Sequence, residues 1–130
     1  MRSPYFRAVN IAVPLIIGGA IYVLCSPDAY FVRLLSLPAY DLPIPKPIRN
    51  YLCDFLWAYA LTFAVTPLVG EGRSHVLASF ALCAGASVIL ELLQKLPNVM
   101  GTFDRADIVT EIFACITACI IISVRKKEKQ

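Results

Sequence analysis

Charge is scarce in this chain. Charged residues are 16% of its 130 positions, against roughly 25% in an ordinary soluble domain. Hydrophobic residues make up 58%, and the mean hydropathy is +0.70. A water-soluble fold of this size would have to display much of that apolar content on its surface. The same balance excludes disorder, whose hallmark is low hydrophobicity. There is no C-x-x-C pair, no phosphate-cradling glycine loop, no nucleophile–base pair and no second aspartate-rich motif. These absences count against a disulfide or zinc scaffold and against an enzyme. What remains is an integral membrane protein forming a single domain over residues 1–130.

Five cysteines are present: Cys25, Cys53, Cys83, Cys115 and Cys119. Four lie inside apolar runs and one ends such a run, so they read as small packing residues. Formal net charge is +3, and much of the positive charge sits in Arg125, Lys126, Lys127 and Lys129. Cations directly after an apolar run are a topology signal rather than a nucleic-acid patch.

Four apolar runs are expected to form the spans of an all-α, four-helix membrane bundle: residues 8–25, 51–69, 75–93 and 108–124. At about 1.5 Å per residue the first reaches about 27 Å, enough to cross the hydrocarbon. Tyr22, Val23, Leu24 and Cys25 lack the small side chains of a cleavage site, so this run reads as an uncleaved anchor. Pro14 is tolerable there, because neighbouring groups in a bundle can satisfy the freed carbonyl.

Residues 26–50 form the longest connection and hold five of the nine prolines. Ser26, Pro27 and Asp28 suit a helix start, and residues 29–37 are too short to span, so a short interfacial helix is expected. The alternating prolines from Leu42 to Pro47 favour a stiff extended linker. Gly70, Glu71, Gly72 and Arg73 read as a tight turn, with Ser74 capping the third span. His75 is expected to be an interfacial residue rather than a ligand.

With four spans, both termini share a side. That side collects Arg2, Arg7, Arg73 and the four tail cations, while Arg33, Lys46, Arg49, Lys95 and Arg105 fall opposite. Both termini are therefore expected in the cytoplasm. Independently of that choice, Asp54, Glu91 and Glu111 lie about one helical turn inside the same membrane face. The loop acids Asp104 and Asp107 belong to it too. Glu91 and Gln94 share one side of their helix, as do Asp107 and Glu111. Arg49, Lys46, Lys95 and Arg105 can reach the same region. Carboxylates facing lipid cost about 2.5–3.5 kcal/mol at mid-span, so these should face one another, basic partners or water. Ser79, Cys83 and Ser87 lead toward Glu91, and Ala114, Cys115 and Ala118 continue the Glu111 face; such small stripes allow close helix contact. The expectation is a polar cavity open to the outer face. Its residues are Asp54, Glu91, Gln94, Asp104, Asp107, Glu111, Arg49 and Arg105.

The run Glu91-Leu92-Leu93-Gln94, then Pro97, then Gly101-Thr102-Phe103-Asp104-Arg105-Ala106-Asp107 resembles the VanZ-like family of small multispan bacterial proteins. In that family a helix ending in E-x-x-Q precedes a loop whose aspartate opens the last helix. Residues Arg49 to Trp57 also look like the start of the second span in its short members. The chain departs from the pattern at Asn98-Val99, where an arginine is usual, and at Glu111 and Ala114, which replace an asparagine and a glycine. The resemblance implies a cell-envelope role in the bacterial plasma membrane, limiting access of glycopeptides such as teicoplanin to their surface targets.

Two classes of function follow. The first is a non-enzymatic envelope protein whose outer acidic cavity binds an envelope lipid or cell-wall precursor, with no nucleic-acid partner. The second is a membrane enzyme using Mg²⁺, with Asp104 and Asp107 as candidate ligands and a phosphate-bearing lipid as substrate. That D-x-x-D pair can equally cap and orient the last helix. A small ion-coupled transporter ranks lower, because the cytoplasmic halves of the spans are almost wholly apolar.

Overall fold

The computed structural model describes residues 4–25, 33–38, 40–70, 72–99 and 101–127. Its secondary structure is helical: α1 spans Pro4–Cys25, α2 Lys46–Val69, α3 Arg73–Leu93 and α4 Arg105–Lys127. All four helices are long and apolar enough to cross a membrane, which is compatible with a multi-pass membrane protein. The expected Ser26 cap, most of the expected interfacial helix and Glu71 of the turn lie outside the described residues. Within 33–38, only Arg33 and Leu34 are helical, and Ser36 takes a positive φ of 50°.

The helices begin earlier than the apolar runs alone indicate. The proline run divides: Pro45 is extended (φ −52°, ψ 129°), and Pro47 enters the first turn of α2. A proline there removes only a backbone N–H that has no intrahelical partner. At α3 the cap lies two positions earlier than expected. Gly72, not Ser74, precedes the helix, and its N–H donates to His75 Nδ1 at 2.8 Å. His75 thus closes the helix start. Gly70, at φ 138°, has His75 so close that an added Cβ would lie 2.8 Å from the ring. The turn needs glycine on both counts.

Packing places α2 at the centre, against α1, α3 and α4, with α3 and α4 also packed on each other. The expected bundle is therefore a triangle of α2, α3 and α4 with α1 laid along α2. Its core is built from small residues. Ala58, Cys83, Ala114 and Cys115 form one buried cluster; Phe63, Val76, Ala118 and Ile122 form a second toward the chain termini. Ser79 and Ser87 are buried too, so both small stripes face inward, as close helix contact requires. The buried hydroxyls of Thr62, Thr66 and Ser79 donate to the carbonyls of Ala58, Thr62 and His75 at 2.7–2.9 Å. Each polar atom is thereby satisfied within its own helix, as a hydrocarbon environment demands.

The outside is the apolar side. Leu68 is 85% exposed, and Ile16, Leu77, Leu82, Ile89, Ile116 and Ile120 also point outward. Small and polar residues inside with large aliphatics outside is the arrangement expected where lipid is the solvent. All five cysteines are free thiols, in keeping with their reading as packing residues.

Candidate functional site

The antiparallel order brings the start of α2, the end of α3 and the start of α4 to one end of the bundle. The carboxyls expected there do meet, though in two different roles. Glu91 is 6% exposed. Its Oε1 accepts from Gln94 Nε2 at 2.9 Å, and its Oε2 accepts from the Asp104 backbone N–H at 3.3 Å. Glu91 thus ties the α3–α4 loop back onto α3.

Asp104 is the residue before α4. Its Oδ1 accepts from the Ala106 N–H at 2.9 Å, and its Oδ2 accepts from the Tyr51 hydroxyl at 3.1 Å. A side-chain oxygen on the second helical N–H is the N-cap arrangement. Both carboxyl oxygens are therefore engaged in holding α4 to α2. Gly101 permits this loop path. Its φ is 123°, and a Cβ there would fall 2.6 Å from Gln94 Oε1.

The remaining acids, Asp54, Asp107 and Glu111, cluster beside these ties. Asp54 of α2 and Asp107 of α4 lie close enough to interact. One turn deeper, Glu111 meets the Ser87 hydroxyl of α3, while its Oε2 is buried with no hydrogen-bond partner. A buried acceptor in that condition costs about 1–3 kcal/mol, more if charged. The acid cluster thus holds one buried acceptor without a donor.

The expected cations go elsewhere. Arg49 Nη1 donates to the Cys25 carbonyl, and its Nε donates to Asn50 Oδ1 at 3.2 Å. With the Leu42 N–H on the Leu24 carbonyl at 3.0 Å, Arg49 closes the C-terminal end of α1, where four carbonyls lack intrahelical donors. Lys95 Nζ sits 4.0 Å above the Phe103 ring, and Arg105 is exposed. Among the described residues, Arg49 is thus engaged at the end of α1 and Arg105 is exposed, and neither is seen paired with the acids.

Of the two candidate Mg²⁺ ligands, Asp104 caps α4 and Asp107 lies beside Asp54; among the described residues no group of three or more His, Cys, Asp or Glu is arranged to hold a metal ion. Two contributors escaped the sequence reading as site residues. Tyr51 precedes Asp54 by three positions and so shares its helix face, a usable signal. Ser87 was legible as part of a small stripe but not as the partner of Glu111.

No protein-family model matches the chain, and no match was found among curated proteins or solved structures.

Proposed function

We propose that this chain is a VanZ-like, non-enzymatic protein of the bacterial plasma membrane, with both termini cytoplasmic. In this reading the cluster of Asp54, Asp107 and Glu111, framed by Glu91, Gln94 and Asp104, opens outward. It binds an envelope lipid or cell-wall precursor through groups on that ligand that donate hydrogen bonds, such as an ammonium or amide. One observation carries the reading: Glu111 Oε2 is buried without a partner beside two neighbouring carboxyls. Such an acceptor inside a membrane bundle is costly unless something supplies a donor. The positive charges flanking α1, the α2–α3 turn and the tail support the orientation. Bound ligand then modulates susceptibility to glycopeptides acting at the outer surface.

The test is teicoplanin susceptibility of a sensitive Gram-positive host expressing the chain, beside Glu111→Gln at matched membrane level. The glutamine keeps the size of the side chain but places an amide where the free acceptor was. Raised resistance that disappears in the variant is the expected result. Resistance retained in full by the variant, or none conferred by the wild type, overturns the assignment.

A further inference from the structure

At the opposite end of the bundle from the acid cluster, α3 and α4 border an open space. It is a groove of about 570 Å³ whose walls include Leu77, Phe80, Ile116 and Ile120, with Ser123 and Arg73 at its polar limit. The two helices meet at its floor through Cys119, whose thiol reaches the Val76 carbonyl at 3.8 Å. The small contact at the floor and the larger aliphatics on the rims make the depression. Its walls are almost wholly apolar, and its mouth carries a guanidinium.

The sequence around that mouth is strongly basic. Among the described side chains, Arg7 near the start of α1, Arg73 at the start of α3 and Arg125 near the end of α4 carry this charge. We infer that the groove is a binding site for an anionic phospholipid, with one acyl chain lying along Leu77 and Ile120 and the phosphate at Arg73. Charge decides between occupants. A second copy docked side by side would bring an equally basic end against this one, whereas an anionic headgroup neutralises it. A zwitterionic lipid fits the apolar walls but gains little from Arg73.

The purified full-length chain, released from detergent in a native mass spectrometer, reports lipids bound from added dioleoyl phosphatidylglycerol or phosphatidylcholine. One cation beside an anionic headgroup is worth about fivefold in affinity. The first phosphatidylglycerol is therefore expected to bind at least about fivefold more tightly than phosphatidylcholine, and Arg73→Gln should remove about that factor. Ser123→Phe, which fills the groove, should weaken both lipids. Arg33→Gln loses the same charge from the other end and should leave the preference unchanged. Equal losses in Arg33→Gln and Arg73→Gln would mean bulk charge and would overturn the site. Undiminished binding in Ser123→Phe, or a lipid-free dimer that Ser123→Phe breaks, would overturn it as well.

Discussion

Asp104 offers the sharpest separation of structural from ligand chemistry, because asparagine preserves one role and destroys the other. In the wild type its Oδ1 caps α4 through Ala106, and its Oδ2 accepts from Tyr51. Asp104→Ala removes both. Loss of an N-cap side chain costs typically about 1 kcal/mol, and loss of a hydrogen bond about another 1 kcal/mol. The Glu91 contact survives, since it uses the backbone N–H. The expected destabilisation is therefore about 2 kcal/mol. Asp104→Asn keeps the capping oxygen, and its amide can donate to the Tyr51 oxygen, so its cost should stay below about 1 kcal/mol. Unfolding of the purified chain in mixed micelles of increasing SDS content, followed by circular dichroism, measures both. An asparagine variant as unstable as the alanine variant would refute the capping argument. So would a stabilisation of the wild type by Mg²⁺ that Asp104→Asn abolishes, since it would make the carboxylate a metal ligand.

Other consequences follow from the same contacts. Gly101→Ala should destabilise by about 1–3 kcal/mol, because a Cβ would meet Gln94 in a left-handed backbone; Gly85→Ala, with nothing within 4 Å, should be neutral or slightly stabilising by the same micelle titration. Ala118→Leu places three extra carbons at a fully buried helix contact and should cost about 1–3 kcal/mol. The matched exposed change, Leu82→Ala, should leave unfolding almost unaltered.

The sequence carried the outline of the fold because its physics is one-dimensional. Runs near 18 residues with few charges are long and apolar enough to span, and alternation of direction then fixes which ends meet. That alone brought Asp54, Glu91, Asp107 and Glu111 to one end, and the small stripes on α3 and α4 indicated which faces turn inward. What remained hidden depends on three-dimensional choice. Arg49 and Arg105 have long side chains that reach several partners, and only the structure shows the first on the Cys25 carbonyl and the second exposed. Asp104 is the right residue type for a helix cap and for a metal ligand alike, so its role was decided by where Ala106 and Tyr51 lie. The flanking position of α1 was illegible for another reason. Apart from Asn10 its span is apolar on every face, so no stripe told it where to pack.

The central claim is that carboxyls from separate helices converge at one end of the bundle, and oxidative cross-linking tests it most directly. With the five native cysteines replaced, Asp54→Cys and Asp107→Cys are introduced together and membranes are treated with a mild oxidant. Blocked thiols are then counted by the gel shift of a polyethylene-glycol maleimide. The account predicts rapid disulfide formation within single chains, because these two side chains lie close together on α2 and α4. Persistent free thiols, with the doubly substituted chain still inserted and helical, would contradict it.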